Sequence, residues 1–298
     1  MENNAPAAAV QAKPSTSQFK ENAMRILFIV CACVSILAVA LICVFLFANG
    51  LPAMGEIGIF DFLFGQTWRP SNDLYGIFPF ILGSIYVTAG AILIGVPVAL
   101  LTAIFMVHYC PKRLYPFFKA TVNLMAGVPS VVYGFFGLVV FVPWLRELTG
   151  NGTTMFTASL LLGIMILPTV TGVAESAIRS VPDSYYEGAL ALGATHERSV
   201  FFTVFPAAKS GVMAGVVLGI GRAIGETMAV IMVAGNQTWM PQGVFEGLRT
   251  MTANIVMEMG YAANLHREAL IATGVVLFVF ILIINLCISA LKRRSAYE

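Results

Sequence analysis

The chain has 298 residues, of which 58% are hydrophobic and only 11% are charged, and its mean hydropathy is +0.86. Soluble domains carry about 25% charged residues, so this composition excludes an ordinary soluble protein and indicates a protein embedded in lipid. The net charge of +2 is too small to predict a nucleic-acid partner.

The chain begins with a segment rich in Ala, Pro and Ser, and we expect residues 1–23 to be a disordered cytoplasmic tail. Residues 24–48 form an apolar run, and a membrane-spanning helix needs about 20 largely apolar residues. The run is too long for the core of a signal peptide, and no small-residue cleavage site follows it. It therefore predicts a retained first transmembrane helix, followed by an external segment at 49–78.

Five further apolar runs are each long enough to cross the membrane, which predicts a five-helix transmembrane domain over residues 79–291. Twelve of the 17 Lys and Arg residues fall on the side of both chain ends, and cytoplasmic segments carry such an excess. The prediction is an all-α integral membrane protein with six transmembrane helices, both termini in the cytoplasm and a cytoplasmic tail at 292–298. The five later spans are predicted at 79–108, 119–145, 155–178, 209–235 and 268–291.

The third predicted span contains the stretch AGVPSVVYGFFG, from Ala126 to Gly137, in which a proline and several glycines interrupt an apolar pattern. In a membrane, the backbone groups that such residues free are tolerated where they line a cavity or find partners. A kink that only helps the helices pack explains the pattern more simply than a binding site does. Ser130 and Tyr133 are therefore secondary candidates for residues of a transport pathway.

The cytoplasmic connection between the fourth and fifth spans, residues 179–209, is long and carries helix signals. Ser184 and Glu187 have the spacing of a capping box, which opens a helix, and Gly193 suits the position that closes one. A second short helix is predicted to follow and to end at Pro206. The pattern predicts a helix–turn–helix at the cytoplasmic surface, with small side chains presented for contact.

The fifth predicted span contains the stretch GRAIGETMAV, which carries Arg222 and Glu226 in otherwise apolar surroundings. Projected as one continuous helix, both charges fall on the same face as Gly211, Gly215 and Gly219. Glycines at this spacing let a neighbouring helix approach closely, so we expect this face to point into the protein or a water-filled gap. A charge at the membrane centre costs roughly 2.5–3.5 kcal/mol on insertion scales, which also disfavours a lipid-facing position.

Two interpretations of Arg222 and Glu226 stay open at this point. An internal salt bridge can hold a helix bundle together, although an Arg that precedes its Glu is the weaker order for an i,i+4 pair. Ionisable residues inside a membrane more often mark a transport pathway or a gate, and we favour that role here. An arginine can hold a tetrahedral oxyanion through several donors, and the glutamate can act as the gate.

The connection at 179–209 resembles the EAA loop in the permease subunits of ATP-driven, binding-protein-dependent importers. The pattern of that family is E-A-A, three residues, G, nine residues and I-x-L-P, and this chain keeps the spacing from Glu187 onwards. Three positions depart from the pattern by modest changes in size, with Gly188 in place of Ala, Thr203 in place of Ile and Phe205 in place of Leu.

Further stretches narrow the resemblance. They are TWRP at 67–70, AGVPSVVYG in the third span and GRAIGET in the fifth. Together these stretches resemble the PstC family, the permease subunits of phosphate importers, and the resemblance covers residues 60–290. The resemblance implies a type I ABC importer permease fold, in which the loop at 182–206 couples the membrane helices to an ATPase. The residues that match the coupling pattern are Glu187, Gly188, Ala189, Gly193 and Pro206.

The resemblance also implies a function, partners and a location. In that family the Arg and Glu of the fifth span are considered functional, and they match Arg222 and Glu226. The expected function is import of inorganic phosphate by alternating access, in the inner or plasma membrane of the cell. Besides membrane lipid, the expected partners are a second, PstA-like permease subunit, a PstB-like ATPase dimer and a PstS-like external phosphate-binding protein.

The chain itself is expected to be a transport subunit without a cofactor, and not an enzyme. No Lys follows a Gly, so the phosphate-binding P-loop is missing and ATP hydrolysis is expected from the separate ATPase. The three histidines lie in different segments without a metal-binding motif, and no G-x-S-x-G elbow is present, so neither a metal site nor an intramembrane enzyme is indicated.

Alternatives remain within and outside the importer class. The sister phosphate permease subunit shares the same fold, as do importer permeases for molybdate, sulfate or phosphonate. A channel or a membrane scaffold is the alternative from another class. Neither a channel nor a scaffold has a use for a loop that docks an ATPase, so the loop at 182–206 favours the importer.

Overall fold

The computed structural model describes the backbone of residues 16–295 and the side chains of residues 20–287 and 290. Most of this part of the chain is helical, which confirms the predicted all-α class. The outer ends of the two predicted cytoplasmic tails, residues 1–15 and 296–298, lie outside the described residues.

Two compact units make up the chain, residues 1–48 and residues 49–298. The described part of the first unit belongs to helix α1, Thr16–Ile57, which continues into the second unit. The first span is predicted at 24–48, so the observed helix is longer at both ends. Residues 16–23 are helical, and the prediction of a disordered tail is wrong for them. Helix nucleation is the costly step, whereas each residue added to an existing helix gains a hydrogen bond.

The segment after α1, which is predicted to be external, folds into a short helix and a small hairpin. Helix α2, Ile59–Phe64, leads to strands β1, Trp68–Arg69, and β2, Leu74–Tyr75, which pair antiparallel around a 3-10 turn at Pro70–Asn72. The rings of Trp68 and Tyr75 are buried in an apolar core formed with the neighbouring helices. This core, rather than the two short strands themselves, holds the hairpin in place.

Two long helices form the centre of the second unit. They are α3, Phe78–Ile104, which a π-helical turn at Phe105–Tyr109 extends, and α7, Met155–Arg179. Small residues line their contact: a side-chain carbon added at Gly95 would lie 2.6 Å from the Gly163 carbonyl oxygen. Helices in a membrane associate through such close backbone contacts, because lipid is itself apolar and an apolar side chain gains nothing by moving from lipid into a protein interface. The bounds of these helices match the second and fourth predicted spans.

The third predicted span, 119–145, is wrong as a single helix. Helix α4, Tyr115–Gly127, ends in two extended residues, Val128 and Pro129, and helix α5 follows at Ser130–Phe136. A proline has no N–H to give to a helix and disfavours helical backbone at the residue before it, which explains the break. The rest of this span consists of a π-helical turn at Gly137–Phe141 and helix α6, Val142–Thr149.

The connection predicted as a helix–turn–helix has that form. Gly193 has a φ of +85°, a left-handed conformation that favours glycine, and it follows the first of these helices, as predicted. The helices of the connection are α8, Asp183–Ala191, α9, His196–Ser199, and α10, Phe205–Ala207, with π-helical residues 200–204 between the last two.

Two details of that prediction are wrong. Ser184 does not open the helix, because α8 begins one residue earlier, at Asp183, and no side chain caps it. Pro206 does not end a helix, because it lies in the first turn of α10, where a missing N–H is harmless. The chain instead bends by 71° near Ala208, between α10 and the next helix.

The fifth predicted span, 209–235, is also broken. Helix α11, Lys209–Gly225, is followed by two non-helical residues, Glu226 and Thr227, and then by helix α12, Met228–Val233. Two glycines in the last turns of α11 each cost a helix about 1 kcal/mol relative to alanine, which favours a break there.

The chain ends with two further helices. The connection after α12 contains α13, Met251–Glu258, and α14, Asn264–Ser295, includes the sixth predicted span at 268–291. Within the described residues, five helices are long and apolar enough to cross a membrane, and a sixth crossing arises if the bent pair around Ala208 counts as one span. The upper count agrees with the six spans predicted.

Candidate transport site at two broken spans

The glycine face of α11 packs against α7, as its spacing predicts. A side-chain carbon added at Gly211 would lie 2.5 Å from the Ala177 side chain, and one added at Gly219 would lie 2.6 Å from the Val170 side chain. Gly215 is buried between them. Side-chain carbons of real residues do not approach one another this closely, so these glycines set the distance between the two helices.

Arg222 lies one turn beyond Gly219 on α11 and is half-buried. Its Nη1 donates a hydrogen bond to Thr169 Oγ1 on α7, at 3.1 Å. A guanidinium group carries five N–H donors, and this bond uses one of them. The positive charge is therefore directed into the helix bundle, as expected, and its partner there is a neutral hydroxyl group.

Glu226 does not share the face of Arg222. Its Oε1 accepts hydrogen bonds from the backbone N–H groups of Thr227 and Ala229, both at 3.2 Å, so it caps the start of α12. Its backbone oxygen accepts a hydrogen bond from the Thr252 hydroxyl at 3.3 Å. Within the described side chains, no ion pair joins Arg222 to Glu226. The prediction that one continuous helix puts both charges on one face is wrong, because the helix ends between them.

A single side-chain hydrogen bond bridges the break in the third span. The Tyr133 hydroxyl on α5 donates to the Met125 carbonyl oxygen on α4, at 2.9 Å. Met125 lies in the last turn of α4, where its carbonyl oxygen also accepts the Val128 backbone N–H at 3.4 Å, so the tyrosine is a second and shorter donor to this helix end. Ser130 is the first residue of α5 and is half-buried. Tyr133 thus has a structural task that the sequence pattern does not reveal.

The two broken spans meet through the short helices that follow their breaks. Gly134 on α5 is buried against α12, where an added side-chain carbon would lie 2.9 Å from the Ala229 Cα and 2.8 Å from the Met232 sulfur. The stretches AGVPSVVYG and GRAIGETMAV, which are far apart in the chain, therefore form one contact. Discontinuous helices of this kind commonly form the substrate sites of membrane transporters, because their ends carry free backbone groups.

The predicted pathway residues lie at this pair of breaks but are not one hydrogen-bonded group. Within the described side chains, neither Ser130 nor Tyr133 makes a hydrogen bond to Arg222 or Glu226. Arg222 is the member of the four that brings a positive charge, so it is the one suited to an oxyanion. Among the residues that the structure describes, no three or more His, Cys, Asp or Glu side chains are grouped to hold a metal ion.

The predicted coupling residues lie at the surface of the loop that contains α8 to α10. Two apolar side chains that the pattern did not single out are also strongly exposed there, Leu192 at 91% and Phe202 at 77%. Apolar side chains left open on an ordered loop suit contact with another protein chain. Of the predicted set, Ala189 is half-buried, and the exposed members are Glu187, Gly188, Gly193 and Pro206.

The same loop is tied together by its own polar contacts. The Tyr186 hydroxyl and His196 Nδ1 lie 2.7 Å apart, and the Thr195 hydroxyl caps α9 by accepting the Arg198 backbone N–H. Hydrogen bonds from its own backbone N–H and from Thr195 lower the pKa of the Glu197 carboxyl group. Glu197 thus stays negatively charged in the first turn of α9, where the helix dipole favours an anion. These contacts stabilise the loop from within the chain itself.

A buried glutamate on the predicted external side binds the tryptophan of the TWRP stretch. Glu258, at the end of α13, accepts hydrogen bonds from Trp68 Nε1 at 2.8 Å and from Arg249 Nη1 at 2.5 Å, and it lies 2.9 Å from His266 Nε2. Burial, followed by the charge of Glu258, raises the pKa of the neighbouring Tyr261. The sequence alone does not reveal the role of Glu258, because its partners come from the hairpin, from the connection after α12 and from α14.

A family model and several known proteins match the sequence of this chain. The family model for the "binding-protein-dependent transport system inner membrane component" matches residues 91–297. The probable ABC transporter permease protein YqgH of Bacillus subtilis is 36% identical over 285 residues, covering 93% of this chain and 92% of its own. The phosphate transport system permease protein PstC of Mesorhizobium japonicum is 34% identical over 261 residues, covering 80% of each chain. A probable PstC of Methanocaldococcus jannaschii is 33% identical and covers 84% of this chain and 86% of its own.

Solved structures share the fold. A chain of a bacterial alginate ABC transporter matches with a TM-score of 0.63 at 18% identity, covering 92% of this chain and 96% of that chain. A chain of the MetNI methionine ABC transporter in an inward-facing conformation matches with a TM-score of 0.59 at 18% identity, covering 77% and 99%. These likenesses confirm the type I importer permease fold.

Proposed function

The chain belongs to the family of inner-membrane components of binding-protein-dependent transport systems, and we propose that it is the permease subunit of an ATP-driven importer of inorganic phosphate. It is a multi-pass membrane protein with a transport role rather than an enzymatic one. Relatives named as phosphate transport permeases align with 80% and 84% of the chain, which supports phosphate as the cargo.

The position of Arg222 is the observation that carries the assignment to an anion. Phosphate is a tetrahedral anion, and an arginine binds it through strong, charge-assisted hydrogen bonds. The Thr169 hydroxyl orients the guanidinium without neutralising its charge, because a hydroxyl group is not a counter-ion. Arg222 is half-buried, and a charge that is partly removed from water attracts an anion more strongly than one in bulk water.

The fold and the coupling loop support a transport cycle by alternating access. Binding of ATP brings two ATPase subunits together, and the loop that contains Glu187 and Pro206 moves with them. The bundle then opens outward to receive phosphate near Arg222, and hydrolysis reverses the change. The chain has no P-loop, so the ATP is bound and hydrolysed by the separate ATPase. On this account the chain itself carries no cofactor.

The complex contains further subunits. A PstA-like second permease completes the pathway, a PstB-like ATPase dimer docks on the coupling loop, and a PstS-like binding protein delivers phosphate from outside. The exposed Leu192, which lies between α8 and α9, supports a docked ATPase, because an ordered loop rarely leaves such a side chain in water. The family description supports both the binding protein and the inner or plasma membrane as the site of action.

Uptake in living cells tests the proposed function. A strain that lacks this chain is supplied with labelled phosphate, sulfate or molybdate, with and without the gene restored. We expect restoration to bring back the uptake of phosphate and to leave the uptake of sulfate and molybdate unchanged. Restored uptake of another oxyanion, with no effect on phosphate, would mean that the chain serves a different importer.

A further inference from the structure

The carboxylate of Glu175 has no part in the mechanism described so far. Glu175 lies on α7 near its cytoplasmic end and is 1% exposed. It accepts hydrogen bonds from the Tyr115 hydroxyl at 2.5 Å, from Lys119 Nζ at 2.7 Å and from Arg179 Nε at 3.1 Å. An unpaired buried carboxylate is very unfavourable, so these three donors are what keeps the group charged in this position.

The three donors belong to two parts of the chain that a transport cycle has to connect. Arg179 is the last residue of α7 and directly precedes the coupling loop, whose first helix begins at Asp183. Tyr115 and Lys119 lie on α4, the cytoplasmic half of the broken third span. The Arg179 guanidinium also lies over the Tyr115 ring, 4.5 Å from its centre. Glu175 therefore joins the base of the coupling loop to this half-helix.

Apart from the contacts with Glu175, few contacts hold helix α4 in place. None of its residues is buried, and its main neighbour is α7. Within the described side chains of α4, the polar contacts with other helices all end on Glu175, and one ring contact joins Phe118 to Phe105. A side-chain carbon added at Gly127, beside the break, would meet nothing within 4 Å. A glycine and a proline at such a break let the two halves of a span change their angle.

The other half of the span reaches the candidate transport site. The Tyr133 hydroxyl bridges the break to α4, and the next residue, Gly134, packs on Ala229 in α12. Ala229 in turn donates its N–H to Glu226. Contacts run without a gap from the coupling loop to both breaks. Contiguity alone does not establish coupling, but a hinged element fastened at one end is a physical means for it.

From this arrangement we propose that Glu175 is a positioning residue for transport. It fastens α4 to the base of the coupling loop, so that the movement driven by ATP reaches the broken third span. The inference rests on the proposed function. A variant that weakens this fastening keeps hydrolysing ATP but moves less phosphate for each ATP consumed.

The test uses the complete complex, with its binding protein, in lipid vesicles. Lys119→Met removes one donor to Glu175, whereas Lys112→Met removes an exposed lysine in the short connection before α4 and serves as the control. We expect Lys119→Met to lower phosphate uptake per ATP by about tenfold, with hydrolysis changed by less than about twofold. The control should keep the wild-type ratio, and so should Lys119→Arg, which retains the charge and its donors.

Two results would overturn the proposal. One is a wild-type ratio of uptake to hydrolysis in both Lys119→Met and Glu175→Gln. The other is a parallel loss of uptake and hydrolysis in Lys119→Met, with the ratio unchanged, because this would assign Glu175 to folding alone. Wild-type vesicles that take up no phosphate would instead contradict the proposed function, so the two failures can be told apart.

Discussion

At the scale of single residues, Arg222 is oriented from one side by the neutral hydroxyl of Thr169, 3.1 Å away. Lysine in its place would keep the charge but lose the planar fork of donors. We predict that Arg222→Ala lowers the initial rate of phosphate uptake by about a hundredfold and Arg222→Lys by about tenfold. The amount of protein in the membrane should stay the same in both variants.

Arg146 provides the control for this prediction. It is an exposed arginine in α6, away from both breaks, so Arg146→Ala should take up phosphate like the wild type. Wild-type uptake by Arg222→Ala, measured at equal protein levels, would remove the arginine from the transport pathway.

Glu226 is predicted to act as a gate from its sequence, and in the structure it caps α12. Its replacement tests the capping role. Its Oε1 caps α12, and the loss of such a cap costs about 0.5–2 kcal/mol. Glu226→Gln keeps an oxygen that can accept the same N–H groups, whereas Glu226→Ala does not. We predict that the purified complex melts at a lower temperature with Glu226→Ala and at the wild-type temperature with Glu226→Gln. A wild-type melting temperature for Glu226→Ala would show that the capping contact contributes nothing to stability.

At the scale of elements, α11 offers a matched pair of glycines. A side-chain carbon at Gly219 would lie 2.6 Å from Val170, whereas at Gly221 it would meet nothing within 4 Å. We predict that Gly219→Ala destabilises the complex by roughly 1–3 kcal/mol, because it overpacks the contact with α7. Gly221→Ala should be neutral or stabilise α11 by up to about 1 kcal/mol, because alanine favours a helix. Equal melting temperatures for the two variants would argue against close packing of α11 on α7.

The coupling loop offers a second pair. Gly193 has a φ of +85°, where a side chain costs roughly 1–2 kcal/mol, while Gly188 lies in α8 with open space around it. We predict that Gly193→Ala shifts the end of α8 and lowers the phosphate moved per ATP hydrolysed. Gly188→Ala should leave this ratio unchanged. Both quantities are measured in reconstituted vesicles, and an unchanged ratio in Gly193→Ala would count against the loop's role in coupling.

The same elements show where sequence reasoning stops. Apolar length and charge distribution located the spans, and the spacing of Gly211, Gly215 and Gly219 correctly predicted a close helix contact. The proline at position 129 predicts a kink, and the structure has a full break there, whereas the break at Glu226 was not predicted, because apolar composition continues through it. Helical projection assumes one uninterrupted helix. The backbone at Glu226 is extended, so the projection gives the wrong position for this side chain.

At the scale of the whole molecule, the class, the fold and the family were all within reach of the sequence. The two buried carboxylates were not singled out, because each is satisfied by donors from distant parts of the chain. Glu258 contacts Trp68, Arg249 and His266, and these residues are too far apart in the sequence for any spacing pattern to predict the cluster. Glu175 did carry a signal, since an acidic residue inside a predicted span needs partners within the protein.

The central claim is that this chain conducts phosphate inward as part of an ATP-driven complex. The most direct measurement is the accumulation of labelled phosphate in vesicles that contain the purified complex, with ATP on the coupling-loop side and loaded binding protein on the other. We predict uptake against a concentration gradient that needs both ATP and the binding protein. Phosphate that only equilibrates across the membrane, at the same rate without ATP, would contradict the account and indicate a channel.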